Sequence, residues 1–223
     1  MSKKVTLIVI GILLLTSCSS IPWFQTDLDK SVEELAADGM DAYQEGNYKE
    51  AIEHFEKLKD FYPFSKYASL AELKIADAHY HLDQYEEAIF AYEEFASLHP
   101  RNEAIPYVIY QIGMCYYNQL STTDRDQEPA AKALDIFTRL QKQYPADTYA
   151  KKAREHIKKC YKSMAAHDLY VGKFYYKSKH YQAALERFKT VISKYPDTGV
   201  HQEALKQIAL CEAKIAKQSA PKK

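Results

Sequence analysis

The stretch Ala184-Leu185-Glu186-Arg187-Phe188-Lys189-Thr190-Val191-Ile192-Ser193-Lys194-Tyr195-Pro196 reads as one amphipathic helix with a stop at its end. Ala184, Phe188 and Val191 follow one another at four and three residues and so share a face, while Pro196 cannot continue the helix. Reduced to Ala-x3-aromatic-x2-apolar-x4-Pro, the string recurs upstream as Ala51, Phe55, Leu58, Pro63, as Ala88, Tyr92, Phe95, Pro100, and as Ala133, Phe137, Leu140, Pro145. Four copies in register are the mark of stacked helix pairs, built on a basic period of roughly 34 residues, in which no unit buries its apolar face alone.

Twelve residues before the leading Ala stands a second small residue in three copies, Gly39, Ala76 and Gly172. It is the expected point of close approach on the first helix of each pair. The remaining copy fits when Gly113 takes this place, which assigns eight extra residues to a polar, turn-rich loop around Ser121 to Pro129. A further first helix is expected around Ala209, thirteen residues after Pro196, with no second helix behind it. Register fails from Thr148 to Ser178, where Pro145 plus thirteen falls on Lys158. The absence of Pro there favours one long helix over two helices kinked near Met164 to His167. The expected fold class is all-α: a tetratricopeptide-type (TPR) right-handed solenoid of about five helix pairs, without a sheet.

Composition agrees, with only 6 Gly and 8 Pro among 223 residues. Thirty basic and thirty acidic side chains cancel. Losing Lys3 and Lys4 with a cleaved leader leaves 28 against 30, a balance that argues against nucleic-acid binding.

The N-terminus has Lys3 and Lys4, an apolar run from Val5 to Leu15, and then Thr16-Ser17-Cys18. The run is too short to span a bilayer and has the form of a secretory signal. Leu15-Thr16-Ser17-Cys18 resembles the bacterial lipobox, making residues 1–17 the signal peptide and Cys18 the acylated mature N-terminus. Two or more acyl chains anchor a protein stably, whereas one does so only marginally. Ser19 and Ser20 carry no acidic retention signal, which points to the outer membrane and a periplasmic location. Apart from this covalent lipid, no cofactor is expected.

The register also places Ala78, Cys115, Cys160 and Cys211 at one position, two residues past the small contact. Equivalent points in successive helix pairs lie roughly 8 to 10 Å or more apart, beyond disulfide reach, so three free, buried thiols are expected.

In such an array the first helices line the concave face. Residues six and three before the small contact, and one, four and five after it, face the groove: Glu33, Ala36, Met40, Tyr43 and Gln44, then Leu70, Leu73, Asp77, Tyr80 and His81, then Tyr107, Tyr110, Met114, Tyr117 and Asn118. Tyr43, Tyr80, Tyr117 and Tyr176 are equivalent, forming an aromatic ladder suited to a peptide. With 19 Tyr in the chain, packing between repeats is the competing explanation. His79 and His81 point to different helix faces and are not a metal pair, and none of the common catalytic or phosphate-binding motifs occurs. A non-enzymatic binding protein is expected. Glu86-Glu87, Glu93-Glu94, Lys151-Lys152 and Lys158-Lys159 read as solvated charge.

A lipobox followed by these repeats resembles the BamD (YfiO) family of outer-membrane assembly lipoproteins. The resemblance rests also on Tyr62-Pro63-Phe64-Ser65, Tyr107-Val108-x-Tyr110, Asp124-Arg125-Asp126 in the enlarged loop, Tyr170-Val171-x3-Tyr175-Tyr176 and Tyr195-Pro196-Asp197-Thr198. It implies a scaffold of the β-barrel assembly machinery, binding unfolded outer-membrane proteins, other assembly lipoproteins and the POTRA domain of a BamA-type barrel subunit. It further implies that Arg187 forms a salt bridge to that subunit. The organisation that follows is a lipidated flexible tether at 18–31, an array at 32–217 and a disordered tail at 218–223. The array divides into a substrate-binding half of about 32–145 and a partner-docking half of about 146–217. Family members commonly carry a further helix after the point where this chain ends. Another periplasmic TPR lipoprotein, serving envelope biogenesis, division or secretion, is the alternative.

Overall fold

The computed structural model describes residues 30–219, which form nine helices and no strand. Cys18, the leader and most of the tether lie outside the described residues, as do 220–223. The helices are α1 (Val32–Gln44), α2 (Tyr48–Phe61), α3 (Ala68–His81), α4 (Tyr85–Leu98), α5 (Ile105–Asn118), α6 (Glu128–Gln143), α7 (Thr148–Lys177), α8 (Tyr181–Lys194) and α9 (His201–Ser219). The last helix reaches two residues past the limit of 217 read from the sequence. Each helix packs on its sequence neighbours, and α7 also packs on α5 and α9.

One turn device closes three of the pairs. Seven residues past the small contact the backbone is left-handed, at Gly46 (φ 81°), Asp83 (φ 57°) and Lys179 (φ 64°). The following N–H returns to the carbonyl five residues back: Asn47 to Ala42 at 2.8 Å, Gln84 to His79 at 3.0 Å and His180 to Tyr175 at 3.0 Å. These bonds satisfy helix-end carbonyls. Gly46 adopts the conformation freely, whereas a side-chain-bearing residue there costs about 1 to 2 kcal/mol.

The small contacts meet the repeat's aromatic residue face on. A Cβ added to Gly39 would lie 2.7 Å from the Phe55 ring, and one on Gly172 2.5 Å from Phe188. Gly113 lies equally tight against Phe137, and all three phenylalanines are fully buried. Burying each ring stabilises the pair by about 1.5 to 3 kcal/mol. Lys158 and Ala209 occupy the same register position, yet both are exposed. Among the described residues no second helix folds back on either, so nothing described there requires a small residue.

α7 is a single helix of 30 residues, roughly 45 Å long. It begins at the Asp147 N-cap, whose carboxylate accepts from the Tyr149 N–H at 2.7 Å. Its N-terminal half buries Ala150, Ala153 and Cys160 in the central core, while its C-terminal half carries Leu169, Tyr175 and Tyr176 into the separate core around Ala184, Phe188 and Cys211. The enlarged loop between α5 and α6 rests on its middle. Ser163 Oγ donates to Gln127 Oε1 at 2.7 Å, and His167 Nδ1 donates to the Thr123 carbonyl at 2.7 Å. Insertion and fused helix therefore support each other.

Candidate groove and docking site

The first helices of successive pairs touch through side chains along an unbroken path. Between α1 and α3, the Lys74 ammonium sits 4.4 Å from the centre of the Tyr43 ring, and Tyr43 packs edge-on against His81 at 5.8 Å. Between α3 and α5, Asn118 Nδ2 donates to the Tyr80 hydroxyl at 2.9 Å. Between α5 and α7, Tyr110 packs on Tyr149 at 5.4 Å and on His156 at 5.9 Å, while Tyr117 meets His156 at 4.6 Å. Met40, Tyr43, Leu73, Tyr80, Tyr107, Tyr110, Met114 and Tyr117 are all half-buried along this path. The array thus places these residues along one path of side-chain contacts, each of them partly buried. Tyr176 keeps the series' contact with the residue five further on, pairing with Tyr181 at 5.3 Å as Tyr43 pairs with Tyr48 at 5.4 Å and Tyr80 with Tyr85 at 6.0 Å, but it does so in the separate C-terminal core.

Asp77 is placed differently from the surface residue read from the sequence. It is 3% exposed, and its carboxylate is saturated. Oδ1 accepts from the Tyr92 hydroxyl at 2.7 Å and the Tyr107 hydroxyl at 2.6 Å, and Oδ2 accepts from Lys74 at 2.8 Å. Gln111 Nε2 donates to both hydroxyls, at 3.4 and 3.3 Å. Burial, then the Asp77 charge, drives both phenols far above their ordinary pKa, so they remain donors. Asp77 is therefore a buried anchor that ties α3 to α4 and α5. The signal lay in the register: Met40 and Met114 hold this position in the neighbouring copies, so a carboxylate there needs buried partners.

The sequence reading also missed His156, which is enclosed by Tyr110, Tyr117 and Phe137. Its Nε2 lies 3.1 Å from the Tyr110 hydroxyl, and its buried Nδ1 has no hydrogen-bond partner. Desolvation, then the Lys159 charge, lowers its pKa. His79 bonds Gln84 at 2.8 Å, and His81 stacks on Tyr48 at 4.6 Å, so the two serve separate contacts. Among the described residues, no group of three or more His, Cys, Asp or Glu is placed to hold a metal ion. Cys115, Cys160 and Cys211 are free and buried, as their register requires. Burial pushes the Cys115 thiol up to about 12 and Cys160 up to about 11.

Arg187 stands on α8, with its side chain 46% exposed beside a cleft lined by Asp168, Glu186, Lys194 and Tyr195. Arg187 Nη1 donates to Asp168 Oδ1 at 2.8 Å, and the Tyr195 hydroxyl donates to Asp168 Oδ2 at 2.7 Å. The Asp168 side chain is 7% exposed. In the second repeat Glu72, the equivalent of Asp168, meets His99, the equivalent of Tyr195, at 2.6 Å. Arg187 is thus committed to its own chain through Nη1, and the rest of its guanidinium faces outward.

These features define a tetratricopeptide-type repeat protein whose first helices touch through partly buried aromatic side chains. A family model described as YfiO, outer membrane lipoprotein, matches residues 28–222, and the chain belongs to that family. It is similar to the outer membrane protein assembly factor BamD of Caulobacter vibrioides, with 33% identity over 177 residues covering 79% of this chain and 58% of that protein. The corresponding Rickettsia prowazekii protein is 32% identical over 199 residues, covering 89% and 78%, respectively. That of Neisseria gonorrhoeae is 29% identical over 229 residues, covering 96% and 86%. Among solved structures, a tetratricopeptide repeat protein from Parabacteroides merdae aligns at TM-score 0.44 and 15% identity, covering 83% of this chain and 75% of that one. No helix among the described residues is long and apolar enough to cross a membrane.

Proposed function

We propose that this chain is an outer-membrane lipoprotein scaffold of the β-barrel assembly machinery. It holds unfolded barrel proteins near the barrel subunit and performs no chemistry of its own. Family membership across residues 28–222 carries this reading, together with relatives named as outer membrane protein assembly factors. Acylated Cys18 tethers the array to the inner leaflet of the outer membrane, facing the periplasm. The half-buried tyrosines and methionines of α1, α3 and α5 receive an extended apolar segment, with Tyr offering contact area at low entropic cost and Met adapting to varied side chains. The C-terminal half, including the outward part of Arg187, docks on the barrel subunit. Tethering raises effective concentration, so individual contacts need not be strong.

The test is purification of the tagged chain from membranes, with identification of what accompanies it, alongside depletion in the parent bacterium. Recovery of the barrel subunit and loss of outer-membrane barrel proteins on depletion are expected. Recovery of peptidoglycan or division proteins, with normal barrel levels, would overturn the reading in favour of another envelope scaffold.

A further inference from the structure

We propose that the first two inter-pair turns of the array form a second membrane contact, an apolar edge of Phe61, Phe64 and Leu98 that settles into the lipid surface beside the acyl anchor. The inference rests on the Cys18 anchor reading above and adds which edge of the array faces the leaflet. In the α2–α3 turn the Ser65 N–H donates to the Tyr62 carbonyl at 3.0 Å, and in the α4–α5 turn the Asn102 N–H donates to the His99 carbonyl at 3.0 Å. Each closed turn holds the residue after its Pro at the tip, Phe64 in one and Arg101 in the other. Phe64 is 100% exposed, and Phe61 and Leu98, which end the helices leading into the turns, are 47% and 58% exposed. One exposed apolar side chain is ordinary, whereas three on successive turns make a surface for contact.

The tether selects the occupant. The Tyr62 hydroxyl donates to the Lys30 carbonyl at 3.0 Å, so the chain enters the array against the turn that carries Phe64. Lys30 follows Cys18 by 12 residues, a length that spans at most roughly 40 Å. The apolar character also fades along the array. Two residues before the repeat's Pro stand Phe61 and Leu98, then Gln143 and Lys194; one residue after it stand Phe64 and Arg101, then Ala146 and Asp197.

The chemistry of the edge matches the boundary between head groups and acyl chains. Lys66 and Arg101 are exposed beside the apolar residues, where they meet phosphate groups, but Asp60 and Glu103 are exposed on the same turns. Insertion of apolar side chains therefore carries the contact, and attraction to anionic lipid is the smaller part.

The probes are Phe64→Trp, Leu98→Trp and Phe174→Trp, each combined with Trp23→Phe, which removes the chain's one tryptophan. The full-length acylated chain is reconstituted in phosphatidylcholine vesicles, plain or brominated near the head-group end of the acyl chains. Phe174, 58% exposed on α7 and outside both turns, is the control. Bromine should lower the emission of Phe64→Trp and Leu98→Trp about twofold, since apolar faces settle roughly 5 to 10 Å deep, and should leave Phe174→Trp unchanged. The quenching should persist at high salt. It should vanish for Leu98→Trp when Phe61→Ser/Phe64→Ser is added. A chain that floats with the vesicles but shows no quenching at Phe64→Trp overturns the edge and leaves the anchor standing. Equal quenching of Phe174→Trp also overturns it, because the array then has no preferred edge. An emission shift at Phe64→Trp that follows protein concentration and ignores bromine assigns the edge to a second copy of the chain, against the proposal. If the chain does not float, the anchor reading falls and this proposal falls with it.

Discussion

Replacing Asp77 with Ala should unfold the middle of the array far more readily than the loss of one surface charge would. The substitution removes the acceptor for two phenols, one of them on the fully buried Tyr92, together with the Lys74 pair. Gln111 meets both hydroxyls as a donor through Nε2, so it does not replace the lost acceptor. Lys74 is about one-fifth exposed and turns to water. Breaking a buried, hydrogen-bonded carboxylate in this way costs about 3 to 5 kcal/mol. Asp77→Asn keeps an oxygen where both hydroxyls donate and sets an amide against Lys74, for a smaller loss of about 1 to 2 kcal/mol. Repeat arrays lose structure in segments, so the assay is native-state hydrogen exchange over α3 to α5, paired with urea unfolding. A loss below about 1 kcal/mol for Asp77→Ala, or equal losses for Ala and Asn, would refute the anchor argument.

Gly113→Val should destabilise the third pair by at least about 2 kcal/mol, because its branches enter the space of the buried Phe137 ring; thermal unfolding measures it. His156 binds a proton less readily in the fold than in the unfolded chain, so stability should hold above its ordinary pKa of 6.5 and fall as pH drops below it. Unfolding midpoints measured across that range should fall less steeply for His156→Phe than for the parent. Arg187→Glu should weaken folding as well as docking, since it sets a carboxylate against the nearly buried Asp168; the partly exposed position limits the folding loss to about 1 to 2 kcal/mol. The double variant Asp168→Asn/Arg187→Glu should regain stability. If it also regains pull-down of the barrel subunit, Arg187 acts through the fold and not through the interface.

The spacing of Ala, aromatic, apolar and Pro residues determined the helix pairs, their order and the inserted loop, because helix periodicity and chain termination are local properties. It also located the three buried cysteines and gathered the groove tyrosines on equivalent positions. What required the folded chain was the fate of residues whose neighbours are remote in sequence. Asp77 passed from groove lining to buried anchor because Tyr92 and Tyr107 come from two other helices. Lys158 and Ala209 are exposed at a position the repeat reserves for small residues, because among the described residues no helix folds over them. Arg187 carries an internal bridge because Asp168 of α7 faces α8, and Lys159 reaches the Tyr117 ring because α7 packs on α5. Periodicity assigns a residue to a face; the helix packed opposite determines whether that face meets solvent, a ring or a buried charge.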